Sequence, residues 1–446
     1  MNNSAKEKVL NYHTSQNPGK ISIQVDKSST KQEALSLAQT PDIAISCKEI
    51  KKKQSNIYKY ASKGNLVAVI SDGTEVLDLG NIGPLASIPV MESKSALFKY
   101  FADIDAFPIC LKDVFDKDGK TDSEKLIETV KRLEPTFGAI NLENIAAPAC
   151  FEIEQRLKDE LPIPVFHDDQ HGTAIISLAG LLNALKLTDK KIENCKFVIN
   201  GAGAAGIACA EYYIRAGAKR RNFMICDSEG IINSVRKNLS PEKNKFAEII
   251  SNKVKTLDEA FEGADIFIGI SEGKCITNNM IKKMAKNPIA FALANPRPEI
   301  YPDDAISAGA KIVATGISEY PNQINNILGF PGIFRGALDT MSTNINFEMR
   351  LGASKALAEL ANEKVPKNIY TVLANTYPKD AKNGLFDGET PLKESYILPK
   401  PLDSRVAPRV ARYVAEAAMK SGVAQRQIND LDEYEKIVFH RINKLP

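Results

Sequence analysis

"KFVINGAGAAGIACAEYYIRAGAKRRNFMICDSEG", residues 196–230, carries the pattern that decides the fold of this chain. A β-branched run, KFVIN (196–200), leads into Gly201, Gly203 and Gly206. An apolar helical stretch (204–218) follows, and a second run, NFMICD (222–227), ends in Asp227. Glycines at this spacing are a weak signal alone, but between a strand and a helix they point to a dinucleotide-binding turn. Gly201 allows the tight turn, Gly203 lets the backbone approach a pyrophosphate, and Gly206 lets helix and strand pack closely. Ala202, Ala204 and Ala205 complete the loop, and free N–H groups at the helix start would face the phosphates. Asp227 is placed to accept hydrogen bonds from an adenine ribose, which favours NAD. Arg220, Arg221 and Arg236 lie near enough in sequence to offer a phosphate partner, which favours NADP. The choice between NAD and NADP stays open here.

Working outward, similar apolar runs recur at PVF (164–166), DIFIGI (265–270), PIAFALA (288–294) and KIVATG (311–316), with a helical stretch at 173–187. Strands alternating with helices predict an α/β fold built on a doubly wound parallel sheet covered on both faces. The first 160 or so residues are more mixed, with strands expected at KISIQV (20–25) and LVAVISDG (66–73) and helices around 92–101 and 122–133. Beyond about residue 335 the pattern is helical, with a proline-bearing loop near 376–403 and a closing helix at 406–422. The expected division is an N-terminal α/β domain (1–163), a Rossmann-like dinucleotide domain (164–400) and a C-terminal helical segment (401–446).

A chain of 446 residues suggests more than one core. A formal charge of +3 is small for that length and gives no reason to expect nucleic acid or an anionic membrane as a partner. The seven cysteines are scattered with no Cys-x-x-Cys pair, so they read as buried thiols in a reducing, cytoplasmic setting. No run approaches the roughly 20 apolar residues needed to cross a bilayer. The first twenty residues are polar and do not read as a secretory signal.

"FHDDQHGT" (166–173) sets two of the four histidines around Asp168 and Asp169, between an apolar run and a helix. Adjacent carboxylates there are either a helix cap or a ligand pair. A divalent cation would want further oxygens, and INLENIAAPACFEIE (140–154) offers Glu143.

Several longer blocks carry a resemblance. "DGTEVLDLGNIGPLASIPVMESKSALFKYFADID" (72–105), "PTFGAINLENIAAPACFEIE" (135–154), "PVFHDDQHGTAI" (164–175), "NGAGAAGIA" (200–208) and "YPNQINNILGFPGIFRGALD" (320–339) are similar to bacterial malic enzymes, over about residues 18–435. The ending "YILPKPLDSRVAPRVARYVAEAAMKSGVA" (396–424) resembles the malic-enzyme portion of hybrid proteins that continue into a phosphotransacetylase-like domain. This chain stops at Pro446, so that module is expected to be absent. The resemblance implies an N-terminal malate-binding domain and a cytoplasmic homodimer or higher homo-oligomer. It implies oxidative decarboxylation of malate to pyruvate and CO2 with reduction of NAD or NADP, and a need for Mg2+ or Mn2+. Carried over by motif, Lys94 matches the catalytic base and Asp168 its hydrogen-bonding neighbour. Glu143, Asn144 and Asp169 match metal ligands. Asn295 and Asn326 match amides that hold substrate oxygens, Asn295 also lying against the cofactor. Read without the family, Lys94 is a surface charge and both asparagines are turn formers.

Departures from the family pattern fall on the chemistry. Where the family reads "SLAYTPGVA" this chain reads "SLAQTPDIA" (36–44), so the proton-donating tyrosine is Gln39, which has no acidic proton to give. "NLED" is "NLEN", which makes the third metal ligand Asn144 and removes a negative charge. Asp42, Asp78 and Ser93 replace glycines, with a cost at any that needs φ > 0. Ile317 stands where many relatives have arginine. These changes set an alternative beside the working enzyme: a weakened, NAD(P)-binding relative acting as a regulatory or structural subunit.

Overall fold

The computed structural model describes residues 3–14, 20–24, 37–39, 42–77, 79–247, 254–388 and 391–443, and in it the chain builds two sheets. The first takes Leu66–Ser71 (β1), Asp105–Cys110 (β2), Ala139–Leu142 (β3) and Val165–His167 (β4), in the order β2-β1-β3-β4. The second takes Phe197–Asn200 (β5), Phe223–Asp227 (β6), Gly230–Ile231 (β7), Ile266–Gly269 (β8), Ile289–Ala292 (β9) and Ile312–Thr315 (β10). Its order is β10-β9-β8-β5-β6-β7, parallel except where β7 turns back on β6.

The near-continuous apolar runs are explained by burial on both faces. In β1, Val67 and Val69 point into a large core that also holds residues of the second sheet and its helices. Ala68 and Ile70 point into a separate core with Leu126, Val130, Ile153 and Leu157. A period of two therefore splits one apolar strand between two cores.

Several expectations change. Val165–His167, expected to open the second domain, pairs with β3 in the first sheet (Ile140 beside Val165, Leu142 beside His167). A boundary at 163/164 therefore cuts off the first sheet's edge. Lys20–Gln24 forms no strand, and Val25 lies outside the described residues. The strand at Asp105–Cys110 was not anticipated, since it contains an acid and Pro108. It is an edge strand, where proline's missing N–H removes no ladder bond.

The C-terminal segment is helical, and it packs on both preceding parts of the chain. The Val406–Lys420 helix packs closely on those at Phe330–Asp339 and Phe347–Leu360. A Cβ at Gly332 would lie 2.6 Å from Val410 Cβ, and one at Gly336 would lie 2.6 Å from the Ala411 carbonyl. The last helix, Leu431–Ile442, then returns to the first domain, where Arg441 Nε donates to Asp103 Oδ2 at 2.6 Å. Among the described residues no helix is long and apolar enough to cross a membrane.

Candidate active site

The register of the first sheet assembles the carboxylates. Leu142 and His167 lie side by side at the carboxyl ends of β3 and β4, so Glu143 and Asp168 leave neighbouring strand ends together. Asp168 and Asp169 then form the first turn of the Asp168–Thr188 helix. Neither is its cap, because His167 takes that place, its Nδ1 accepting from the Gln170 N–H at 3.2 Å. The cap reading of the aspartates is thus set aside.

Lys94 is not a surface charge. It lies inside the Gly83–Ala102 helix and is buried, its Nζ 2.5 Å from Asp168 Oδ2, 3.2 Å from Glu143 Oε1 and 4.1 Å from the Phe330 ring centre. Asn326 Nδ2 donates to the same Asp168 oxygen at 3.1 Å. That approach depends on Gly172, where a Cβ would stand 2.5 Å from both Asn326 Nδ2 and Asp168 Oδ1. Asn144 holds Asp169 through its N–H (2.6 Å) and Nδ2 (3.3 Å), with its backbone at φ +55°, a left-handed conformation that asparagine tolerates better than most residues. Asn141 Nδ2 donates to Glu143 Oε2 at 2.9 Å.

Two carboxylates contact one ammonium, and Asp169 adds to the negative charge around it. Burial opposes charging Lys94, but Asp168, Glu143 and Asp169 outweigh it and hold the amine protonated, above the ordinary lysine value. Burial pushes Glu143 up to about 8, with Lys94 pulling down and the two aspartates pushing up. Lys94 alone in this pocket is therefore a proton-bearing group, and it becomes a base only when another cation offsets the acids. Asn141 Oδ1, Asn144 Oδ1 and Asp168 Oδ1 are buried without a hydrogen-bond partner. Acceptor oxygens without donors, beside an excess of negative charge, suit a cation. Among the described residues no three His, Cys, Asp or Glu side chains converge as a ready-made metal cage, so such a site would rest on two carboxylates and the Asn144 amide.

The glycine loop has the geometry its pattern calls for. Gly201 has φ +114°, and a Cβ there would sit 2.1 Å from the Ile270 carbonyl. A Cβ on Gly206 would sit 1.8 Å from the Gly201 carbonyl, while Gly203, which precedes the Ala204–Arg215 helix, faces open space. A cavity of about 820 Å³ lies along Gly201, Ala202, Gly203, Asp227 and Arg236. Asp227 is not free: Arg236 holds it at 2.6 and 3.2 Å and Lys243 at 2.7 Å. Arg220 does not join them, since its guanidinium donates to the Lys245 carbonyl and lies over Phe246.

Among the described residues, other expected residues make no hydrogen bond to the carboxylate cluster. Gln39 is exposed, its carbonyl accepting from the Ile43 N–H. Asn295 is exposed just past β9, its Nδ2 donating to the Leu293 carbonyl at 3.5 Å, and Gly316 leaves room for it. Asp42 (φ −66°) and Ser93, inside a helix, need no left-handed backbone, so the cost expected there does not arise. Asp78 lies outside the described residues. Residues not singled out from sequence also matter. Phe330 forms one wall at Lys94. Glu299, fully buried, accepts from the Ser271 N–H (2.8 Å) and the Ala294 N–H (3.1 Å), tying together the ends of β8 and β9. Only the apolar context of "GFPGIF" could have marked Phe330, and no local pattern marks Glu299.

Residues 18–158 match the family described as malic enzyme, N-terminal domain, and residues 170–378 match malic enzyme, NAD binding domain. The chain is 47% identical over 436 residues to the bifunctional malic/malolactic enzyme of Bacillus subtilis, covering 97% of this chain and 98% of that one. It is 48% identical to the NADP-dependent malic enzyme of Escherichia coli over 97% of this chain, but spans only 55% of that relative's length. Among solved structures, malic enzyme from Pyrococcus horikoshii superposes with a TM-score of 0.87 at 42% identity, covering 98% of this chain and 96% of that one.

Proposed function

This chain belongs to the malic enzyme family, and we propose that it catalyses oxidative decarboxylation of malate to pyruvate and CO2 with reduction of NAD or NADP. The observation that carries the reading is the buried Lys94 amine held by Asp168, Glu143 and Asn326 at the carboxyl ends of β3 and β4. Glu143, Asp169 and Asn144 would hold a divalent cation, Mg2+ or Mn2+. Gly201, Ala202, Gly203, Ala204, Ala205 and Gly206 would hold the pyrophosphate of the cofactor, with Asp227 and Asn295 also facing it. When bound, the nicotinamide supplies a hydride acceptor and the cation supplies Lewis-acid stabilisation of the substrate's oxygens.

The protein's own groups do the proton work. Lys94 takes the C2 hydroxyl proton, and Asp168 orients the amine and stabilises the charge it gains. Asn326 braces Asp168 from the other side and, with Asn295, offers an amide to the substrate's carboxylate and hydroxyl oxygens. The exposed Gln39 has no acidic proton, so protonation at C3 falls to solvent. On cofactor choice, Arg236 and Lys243 tie down Asp227, which removes the repulsion an unpaired acid would exert on a 2′-phosphate. Both NAD and NADP are therefore accepted.

The test is NADH and NADPH formation from L-malate with Mn2+, in the native chain and in the double variant Gln39→Tyr with Asn144→Asp. The native chain is expected to produce pyruvate and reduced cofactor. A null native rate with strong gain in the double variant would instead establish the non-catalytic subunit reading. Cytoplasmic location and assembly as a homodimer or larger homo-oligomer belong to the same proposal. So does kinship with hybrid proteins bearing a phosphotransacetylase-like domain.

A further inference from the structure

A second cavity, of about 1100 Å³, opens beside the same helix turn. Gln170 and His171 line it, while their neighbours Asp168 and Asp169 face Lys94 and Asn144. Within it, Glu154 is buried and accepts from His171 Nε2 (2.8 Å) and Lys158 Nζ (2.5 Å). Arg350 Nη1 donates to His171 Nδ1 at 2.8 Å, so the imidazole stands between the guanidinium and that one carboxylate. No carboxylate lies within 4 Å of Arg350 among the described residues, and its Nε is buried without a partner. The Tyr212 hydroxyl, on a side chain 3% exposed beside that guanidinium, also lacks a partner. Arg215, stacked on Phe347, adds a third cation, only loosely matched by Glu348 at 3.8 Å. Asp116, Lys120, Glu152, Glu211 and Glu242 line other parts of the cavity; Glu211 faces Lys245 at 3.8 Å, and Glu242 Oε2 is buried without a partner.

The cavity lining as a whole balances five bases against five acids, but around Arg350 two buried donors lack acceptors, and Arg350, Lys158 and Arg215 there face only Glu154 and Glu348. A planar guanidinium with unused N–H groups fits a planar or tetrahedral oxyanion. We propose that this cavity binds a small oxyanion, a carboxylate or a phosphate group, seated on Arg350 and the Tyr212 hydroxyl. The inference does not rest on malate turnover, because it concerns a site whose polar groups the reaction does not use.

Calorimetric titration of NADP-saturated protein tests it, with inorganic phosphate and succinate as separate probes. Filling the glycine loop with NADP prevents phosphate from binding there. The native chain is expected to bind at least one probe, and which one binds identifies the source of the oxyanion. Arg350→Gln should weaken that binding at least about tenfold, and Tyr212→Phe several-fold. Thermal melting checks folding, and if Arg350→Gln fails to fold, Tyr212→Phe, which removes a single oxygen, carries the test. Binding that is unchanged in the folded variants, or no binding of either probe up to about 10 mM, overturns the site.

Discussion

The glycine loop and the carboxylate pocket do neighbouring work but are built in opposite ways. Gly201–Gly206 is local: six consecutive residues set its shape, and the contacts that exclude a Cβ are mostly its own backbone and the next strand end. The carboxylate pocket is dispersed, with Lys94, Glu143, Asp168 and Asn326 coming from four separate segments that meet only in the fold. A local site is broken by steric change, whereas a dispersed one is broken by unbalanced charge.

The sharpest contrast comes from Lys94→Gln. Loss of a general base typically costs 10²–10⁴-fold in rate, to order of magnitude, so kcat should fall by about that factor while cofactor affinity stays within about twofold. A comparable loss of cofactor affinity, read by calorimetry, would show that the two regions are not separable. The reverse case is Gly206→Ala, which forces a Cβ onto the Gly201 carbonyl. Cofactor should bind at least about tenfold more weakly and stability should drop by about 1–3 kcal/mol, with Mn2+ binding, followed by its spin resonance, little altered.

Smaller effects probe charge. Asn144→Asp restores a carboxylate at a backbone position both residues tolerate, and should tighten Mn2+ roughly tenfold. Arg236→Gln leaves Asp227 with Lys243 alone, and should shift the NADP-to-NAD ratio of kcat/KM several-fold toward NAD. Acid stability probes charge without a substitution. Burial holds His171 neutral, its value lowered to about 3, whereas in the unfolded chain it titrates near 6.5. The unfolded state therefore gains a proton first as pH falls, and stability declines from about pH 6.5 toward 3, by at most about 1.4 kcal/mol per pH unit from this group. Burial alone would raise Glu154, but the Lys158 ammonium and the hydrogen bond from His171 hold it well below the ordinary glutamate value, so it adds to the same decline below about pH 4.5. Urea unfolding at pH 7 and pH 5 measures this, and a flat profile would mean that the His171–Glu154 pair is solvated.

The strand runs around the glycines were legible because burial on both faces leaves few polar residues to obscure them. Strand β4 looked the same, yet it pairs with the first sheet. An apolar run declares that it is buried but not which sheet receives it. Lys94 was legible only by resemblance, since a lysine in an apolar helix reads locally as a solvated charge. Gly172 and Glu299 had no local signal, because each answers to a side chain or strand end distant in sequence.

By itself the sequence determined the dinucleotide turn, the alternation of strand and helix, and the supply of acids, amides and one lysine from which a site could be made. These depend on neighbours within a few residues, where backbone sterics and side-chain period suffice. The tertiary structure alone decided that β3 and β4 end side by side, that two carboxylates share one ammonium, that Asp227 is already paired, and that Arg350 meets an imidazole and, among the described residues, no carboxylate within 4 Å. Charge balance in a buried pocket is a sum over segments far apart in the chain, and only folding brings its terms within a few ångströms.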